Sequence, residues 1–419
     1  MFTRVRGTQD FLDLRLFNFF VETTKKHLSC HNFHEIATPI LEHTDLFKRS
    51  LGEETDVVSK EMFVIPGSGE DADEKESLCL RPEATAPTMR AFLNNHVDTT
   101  PWKVFTYGPM FRKERPQKGR FRQFHQFNIE IIGTNSVAQD AYFITMLERL
   151  FSEKLKMTNY ALLINYMGCP EDRKRFRETL AQFLDQHTDK ICATCLQRKE
   201  RNIMRVFDCK NPTCQQLYAT APKITDSLCA TCNTEWETLQ SLLRQLSVSF
   251  SHAPTLVRGL DYYGKTVFEF ASSQLGAQSA FGGGGRYDYL ATALGGKTDQ
   301  PSIGAGLGIE RILLILEQIP NLPLPTQPPL YAILPLTAEQ VAMGLQVADE
   351  LHAHNFCAQI FVEGDSMKSM MRQANKLGAH ACIIIGPDEQ AAGLVTVKQM
   401  TTGQESKIAQ RELVAHIKG

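Results

Sequence analysis

The sequence lacks the features that mark membrane, secreted and repeat proteins. No apolar run approaches the roughly 18 residues that a membrane span needs, and the opening MFTRVRGTQDF has no apolar stretch of a secretory signal. Neither an internal repeat nor a GxxxxGKS or GxxxxGKT phosphate loop is found. We therefore expect a cytoplasmic protein with no membrane partner, and we exclude a Walker-type phosphate loop.

An excess of charge of one sign is also missing. The 419 residues include 45 Lys and Arg against 47 Asp and Glu, so the formal net charge is −2. This balance argues against a bulk polyanion binder, whose surface would be basic, but it leaves room for a local basic site. The length and the 42% hydrophobic content predict two or three globular domains.

Hydrophobic periodicity divides the chain into regions of different character. Strands and helices alternate through residues 1–325, interrupted by a mainly helical stretch at 170–250. Five prolines in residues 322–335 predict a linker. Residues 330–419 then alternate strand and helix, as in a small α/β domain. The acidic tip at 67–77 is expected to be a solvated loop.

Residues 102–132 read as a long β-hairpin whose second strand has two unlike faces. Strand alternation separates Phe124, Gln126, Asn128, Glu130 and Ile132 from His125, Phe127, Ile129 and Ile131. A solvent-exposed face would explain the polar set. The alternative is a floor of hydrogen-bonding groups that suits a small polar ligand.

The same hairpin concentrates positive charge on a nearly neutral protein. Its basic residues are Arg112, Lys113, Arg115, Lys118, Arg120 and Arg122. Arginine forks match the oxygens of phosphates and carboxylates, and the interleaved Phe121 and Phe124 could stack on a base. An exposed charged hairpin is the plainer alternative.

Three shorter motifs add candidate ligand groups. RPEATAP puts Glu83 and Thr85 at a strand end. Residues 255–271 predict a strand, in which VRGLDYY pairs Arg258 with two tyrosines, although an isolated RGLDYY is more often a packed strand than a binding motif. Arg311 lies near the predicted start of a helix, where the helix dipole disfavours a cation. A bound anion or a structural ion pair would remove that conflict.

Together these segments resemble class II aminoacyl-tRNA synthetases, and within them the histidyl-tRNA synthetase family. Residues 36–63, 102–133 and 301–318 look like motifs 1, 2 and 3, while LVRGLDYYGKTVFE and GGGGRYD look like the histidine-specific stretches. The resemblance implies an antiparallel-sheet catalytic domain flanked by helices over residues 1–325. It also implies a helical insertion at 170–250 and an α/β anticodon-binding domain at 330–419.

The resemblance implies a histidine–tRNA ligase that works as a homodimer. L-Histidine and ATP, with Mg²⁺, would form histidyl-adenylate, and the histidyl group would then pass to the 3′ end of tRNA(His). The competing hypothesis is a catalytically inactive, histidine-binding regulatory subunit. Such proteins typically lose the arginines of motifs 2 and 3, which are present here as Arg112 and Arg311.

The resemblance also implies a role for individual residues. The catalytic cations would be Arg112 and Arg258. Histidine would be bound by Glu83, Thr85, Gln126, Glu130, Arg258, Tyr262 and Tyr263, with Glu130 and Tyr263 on the imidazole. ATP would be bound by Arg112, Glu114, Phe124 and Arg311, and the tRNA acceptor end by Arg115, Gln117 and Arg120.

Six of the 11 cysteines fall between residues 192 and 232. Their spacing contains two CxxC pairs, which are strong candidates for zinc because two thiolates on one turn can reach one tetrahedral ion. The favoured structural zinc ligands are Cys192, Cys195, Cys229 and Cys232, with Cys209 and Cys214 as alternates. The competing hypothesis is a set of reduced thiols inside a helical insertion.

Overall fold

The computed structural model describes residues 2–53, 55–66, 77–363 and 366–418, so all but the last residue of the predicted acidic loop lies outside the described residues. The chain divides into two units, Met1–Leu324 and Pro325–Gly419. Among the described residues, no helix combines the length and the apolar composition that a membrane span requires.

An eight-stranded sheet forms the centre of the first unit. The strands of this unit are β1 (His34–Glu35), β2 (Leu41–His43), β3 (Phe63–Ile65), β4 (Leu78–Leu80), β5 (Trp102–Phe111), β6 (Gln123–Ile132), β7 (Ala161–Tyr166), β8 (Ser251–His252), β9 (Gly264–Ala271), β10 (Ala280–Arg286) and β11 (Ser302–Gly308). The large sheet has the order β1-β5-β6-β11-β10-β9-β7-β8, and β2-β4-β3 form a small second sheet. The six central strands pair antiparallel, and only the short edge strands β1 and β8 pair parallel, as predicted for the catalytic domain.

Helices cover the apolar side of this sheet. The helices of the first unit are α1 (Arg15–Cys30), α2 (Thr44–Leu51), α3 (Thr85–Asn94), α4 (Val137–Arg149), α5 (Pro170–Asp185), α6 (Ala193–Arg201), α7 (Pro212–Tyr218), α8 (Ala230–Gln245), α9 (Leu290–Ala293) and α10 (Ile309–Leu316). Phe127, Ile129 and Ile131 of β6 share one buried core with apolar residues of α1, α4, α8 and α10. The polar residues of β6 therefore face the opposite side of the sheet, because successive side chains alternate.

The stretch at 170–250 is mainly helical and has its own small core. Phe176 and Leu180 of α5 pack with Val206 and Tyr218 in a cluster separate from the main one. Pro170 in the first turn favours the start of helix α5, because a proline there lacks an N–H group that would have no partner within the helix.

The second unit is a five-stranded sheet with helices. Its elements are α11 (Val341–Ala353), α12 (Met367–Lys376), α13 (Pro387–Ala392), α14 (Leu413–Lys418), β12 (Leu330–Pro335), β13 (Cys357–Ile360), β14 (Ala381–Ile385), β15 (Leu394–Gln399) and β16 (Glu405–Ala409). The strand order is β13-β12-β14-β15-β16. The sequence pattern missed β16 and α13, because β16 is a largely polar edge strand and α13 spans only six residues.

One predicted strand is wrong. Residues 255–263 were expected to continue into β9, but β9 begins at Gly264 and the preceding segment consists of turns and irregular backbone. Side chains satisfy its carbonyl groups in place of a neighbouring strand: Asn165 donates to Leu256 at 3.0 Å and Arg173 donates to Tyr263 at 3.0 Å. The segment is thereby free to cross the polar side of the sheet.

A buried ion pair joins the end of β10 to α4. Arg286 and Asp140 are almost fully buried, with 2.8 Å between guanidinium and carboxylate, and Asp288 lies 3.0 Å from the same guanidinium. Thr266 donates a further hydrogen bond to Asp140. Because both charges are removed from water, the pair stabilises the fold only while it is complete.

Arg286→Met is therefore expected to destabilise the first unit by about 3–5 kcal/mol, since it leaves Asp140 buried without its cation. The free energy of unfolding is measured in urea by tryptophan fluorescence, because both tryptophans, Trp102 and Trp236, lie in this unit.

The matched control is Arg15→Met, which breaks the exposed pair Arg15–Asp13. We expect it to leave the free energy of unfolding close to that of the wild type, because exposed ion pairs contribute little to stability. Equal losses for the two variants would contradict a structural role for the buried pair.

Candidate active site

A cavity of about 390 Å³ lies against the polar face of β6. Its walls come from seven parts of the described chain: residues 56–61, the start of α3, the β5–β6 hairpin, the turn at 203–208, the segment 257–263, Glu269 of β9, and the glycine-rich ends of β10 and β11 with α10. The volume and the convergence of polar groups are typical of a small-molecule site.

The floor of the cavity is the polar face of β6, which lies between β5 and β11 in the sheet. Gln126 and Asn128 of β6 line the cavity, and their side-chain oxygens are buried without a hydrogen-bond partner among the described residues. Gly306 of the neighbouring β11 leaves space above them. The polar face of β6 therefore lines a cavity, and the alternative of a solvent-exposed face is wrong.

Glu83 stands at the N-terminus of α3. Its carboxylate accepts hydrogen bonds from the backbone N–H groups of Thr85 at 2.7 Å and Ala86 at 2.9 Å, and it lies 3.5 Å from the Tyr262 hydroxyl. Burial raises the pKa of Glu83, and these hydrogen bonds oppose the rise. The helix end therefore holds a carboxylate at the cavity wall, where it can bind an ammonium group.

Glu130 lies behind the cavity wall and does not line the cavity itself. It is 1% exposed, and it accepts hydrogen bonds from Thr85 at 2.7 Å and Tyr287 at 2.6 Å. A Cβ atom at Gly304 would come within 1.5 Å of this carboxylate, so the glycine makes its position possible. Burial raises the pKa of Glu130 to about 8, despite the two hydrogen bonds.

Among the described residues, five arginines line the cavity, and three of them, Arg112, Arg258 and Arg311, were predicted as ligand-binding residues. Arg112 donates to the carbonyl of Pro82 at 3.0 Å, and its guanidinium lies 5.2 Å from the centre of the Phe124 ring. Arg258 pairs with Glu269 at 2.6 Å. Arg311 donates to the carbonyls of Gly119 at 2.8 Å and Ala280 at 2.6 Å.

These cations are close enough to disfavour one another's charge. Burial, reinforced by Arg112 and Arg120, lowers the pKa of Arg311 to about 10. Burial also lowers the pKa of Arg112, to which Arg258 contributes. A polyanionic ligand such as a triphosphate would relieve this repulsion.

The residues predicted at the tRNA acceptor end share the hairpin loop, where Gln117 and Arg120 are joined by two backbone hydrogen bonds, but only one of their side chains reaches the cavity. Arg115 and Gln117 are exposed and outside the cavity, whereas Arg120 lines it and pairs with Glu114. Glu61 lies 3.7 Å from the same guanidinium. In this structure Arg120 therefore positions Glu114 in the cavity wall.

Several charged cavity residues escaped the sequence-based prediction, among them Glu269, Arg205 and Asp208. Glu269 could have been recognised, because it interrupts the apolar run VFEFA. Arg205 and Asp208 come from the helical insertion, where Nε of Arg205 lies 3.0 Å from the carboxylate of Asp208. Nothing in their local sequence connects them with residues some 50–80 positions away in the chain.

The predicted zinc ligand set is wrong in its grouping. Cys192 and Cys195 lie with Cys209 and Cys214, whereas Cys229 and Cys232 lie with Cys169 and Asp172. The two CxxC pairs belong to different packing clusters, since Cys195 is in the core of the insertion and Cys232 is in the main core. Spacing along the chain could not reveal this partition.

The cavity as a whole offers two chemically different ends. The end near Glu83 presents buried carboxyl, amide and hydroxyl groups, which suit a small molecule with an ammonium group and a polar ring. The arginine end suits phosphates. Such a site brings two reactants together and screens negative charge between them.

Comparison with known proteins gives a consistent result. The family model described as "Histidyl-tRNA synthetase" matches residues 19–312, and the model "Anticodon binding domain" matches residues 331–419. A histidine–tRNA ligase from Solidesulfovibrio magneticus is 41% identical over 99% of this chain and 97% of its own. One from Desulforamulus reducens is 40% identical over 99% of both chains.

A solved structure is similar over the same length. The structure of histidyl-tRNA synthetase from S. aureus without ligands covers 100% of both chains with a TM-score of 0.81 and 30% identity.

The pKa of Glu130 predicts a pH dependence of stability. Folding raises this pKa from an ordinary 4.5 to about 8. The group therefore contributes stability that is complete below about pH 4.5 and is lost as the pH rises towards 8. Glu130→Gln removes this titrating group. The melting temperature of the variant minus that of the wild type is therefore expected to increase as the pH rises from about 4.5 to about 8.

The measurement is the melting temperature of both proteins between about pH 5 and pH 9. Glu317→Gln, at an exposed position, is the matched control and should follow the wild type. A difference between Glu130→Gln and the wild type that does not vary with pH would contradict a raised pKa.

Proposed function

The chain belongs to the histidyl-tRNA synthetase family, and we propose that it activates L-histidine with ATP and transfers the histidyl group to the 3′ end of tRNA(His). The observation that carries this proposal is the two-ended cavity, where a carboxylate-lined end adjoins an end with three arginines. The alternative of an inactive regulatory subunit finds no support, because Arg112, Arg258 and Arg311 all reach the cavity.

In the first step a carboxylate oxygen of histidine forms a bond to the α-phosphorus of ATP, and the bond from that phosphorus to the oxygen of the β-phosphate breaks. The products are histidyl-adenylate and pyrophosphate. Both reactants are anionic, so their approach depends on fixed positive charge more than on a titrating base. We assign this role to Arg112 and Arg258.

Pairing with Glu269 supports the assignment of Arg258. The 2.6 Å ion pair fixes one nitrogen of the guanidinium, and Nε is buried without a partner among the described residues. A Cβ atom at Gly283 would come within 2.7 Å of the same side chain, so the glycine leaves room for it. Arg258 is thereby preorganised to bind the α-phosphate and the substrate carboxylate.

Histidine recognition is assigned to the opposite end. Glu83, Thr85 and Gln126 bind the α-amino group, and Tyr263 binds the imidazole. Glu130, which lies behind the cavity wall, would reach the imidazole through its remaining acceptor positions. A carboxylate has about four acceptor positions, and Thr85 and Tyr287 use two of those on Glu130. Burial raises the pKa of Tyr263 to about 12, so its hydroxyl keeps its proton and can donate.

The adenine end is assigned to the motif 2 hairpin and α10. Phe124 stacks on the base, Arg311 lies on its other face or on the γ-phosphate, and Glu114 lies near the adenine. What supports this is that all three line the cavity. Mg²⁺ supplies further charge neutralisation as part of the ATP complex, and Glu61 and Glu269 are carboxylates of the cavity wall that suit a hard cation.

The wider organisation is also proposed. Residues 1–325 carry both chemical steps, with the insertion at 170–250, and residues 330–419 bind the anticodon. Arg115 and Gln117 meet the acceptor end of the tRNA, which their exposure allows. The chain works in the cytoplasm as a homodimer through the motif 1 region. Zinc has a structural role, because none of the described cysteines lines the cavity.

Histidine-dependent exchange of pyrophosphate into ATP tests the proposed reaction. The expected result is exchange with L-histidine and none with the other standard amino acids. Binding of histidine by folded protein without any exchange would overturn the proposal in favour of a regulatory subunit.

Arg258→Ala is expected to lower the single-turnover rate of adenylate formation by on the order of 10²-fold or more, as loss of a transition-state charge partner does. Arg411→Ala, whose side chain is 87% exposed in the second unit, is the matched control and should keep the wild-type rate. A wild-type rate for Arg258→Ala would rule out its catalytic role.

A further inference from the structure

Four cysteines of the insertion converge on one point. The sulfur atoms of Cys192, Cys195, Cys209 and Cys214 all lie within 4.8 Å of one another. Three of these side chains are buried and Cys192 is half-buried. They come from three segments: the start of α6, the end of the turn at 203–208, and α7.

Their spacing fits a tetrahedral metal ion. Sulfur atoms at about 2.3 Å from a central zinc, at tetrahedral angles, are about 3.8 Å apart, and the sulfurs of Cys192 and Cys209 are 3.8 Å apart. A disulfide would require about 2.05 Å, and all four cysteines are free thiols.

Backbone groups around the cluster favour thiolates. The N–H of Cys192 points at the sulfur of Cys214 at 3.3 Å, and the N–H of Asn211 points at the sulfur of Cys209 at 3.4 Å. N–H donors to ligand sulfur are the outer-shell contacts that orient metal-bound thiolates. Cys192 and Cys195 also share the first turn of α6, which brings a CxxC pair to one ion.

The second cysteine group has a different explanation. In this group, formed by Cys169, Asp172, Cys229 and Cys232, the carboxylate of Asp172 accepts from the backbone N–H groups of Cys169 and Cys229 and pairs with Arg175. These contacts cap α5 and join it to the start of α8. The carboxylate is already satisfied by helix capping, which leaves this group as the matched control.

We propose that Cys192, Cys195, Cys209 and Cys214 bind one Zn²⁺ ion in a closed, tetrahedral, structural site. The ion would tie α6, the turn Ile203–Asp208 and α7 together, in an insertion whose core is small. That turn carries Arg205 and Asp208 to the cavity wall, so zinc would hold one wall of the active site in place. The metal site does not depend on the proposed reaction.

The test is the metal content of full-length protein purified without chelators. About one zinc per chain is expected in the wild type, because four thiolates bind zinc tightly. Cys192→Ser/Cys195→Ser should lose the zinc, whereas Cys229→Ser/Cys232→Ser should keep it. Less than about 0.2 zinc per chain in the wild type would overturn the proposal. It would also be overturned if Cys192→Ser/Cys195→Ser kept its zinc, or if the wild type contained iron instead of zinc.

A second measurement uses the wild type alone, in case the first variant does not fold. An organomercurial reagent is titrated into the native protein while zinc release is followed with a chromogenic chelator. Replacement of the ion by Co²⁺ should then give the visible absorption of a tetrahedral site with sulfur-to-cobalt charge transfer. A cobalt spectrum typical of six oxygen or nitrogen ligands would overturn the assignment.

Discussion

The carboxyl group of Glu130 lies beneath the cavity floor, 1% exposed, between hydroxyl donors from Thr85 and Tyr287. A negative charge in such a place is costly unless it is hydrogen-bonded. The surrounding elements therefore supply hydrogen-bond donors and leave space for the carboxyl group. Helix α3 brings Thr85, the segment after β10 brings Tyr287, and β11 has a glycine at 304 because any side chain would overlap the carboxylate. Of these residues, Thr85 also lines the cavity and so links the buried carboxyl group to the ligand space.

Charge divides the site above this floor. At one end carboxyl and hydroxyl groups are held by α3 and by the tyrosines of the segment 257–263. At the other end burial lowers the pKa of Arg112 and of Arg311, and neighbouring arginines add to both effects. A reaction between a carboxylate and a triphosphate needs both properties in one enclosed volume. The insertion contributes Arg205 to the cavity wall, so an element distant in sequence, and the one for which we propose a zinc ion, helps to enclose the site.

Much of the fold and part of the site could be predicted from sequence, for physical reasons that individual residues illustrate. Alternation along β6 correctly separated Gln126 and Asn128 from the core residues, because strand geometry is local. Local patterns could not show that Glu130 lies behind Thr85, nor that Glu269 holds Arg258. They also misread residues 255–263 as a strand and grouped the cysteines wrongly, since both outcomes depend on contacts between distant segments.

The central claim is that buried hydrogen-bonding groups, and not the shape of the cavity alone, select histidine. The most direct test is the ratio of kcat/KM values in pyrophosphate exchange for L-histidine and for β-(2-thienyl)-L-alanine, which has a five-membered ring of similar size without ring nitrogens. A site that leaves buried polar groups unpaired should reject the analogue by about 10⁴-fold or more. A ratio of about 10 or less would contradict the account, because it would mean that the site selects the side chain by its shape and not by hydrogen bonds to the ring nitrogens.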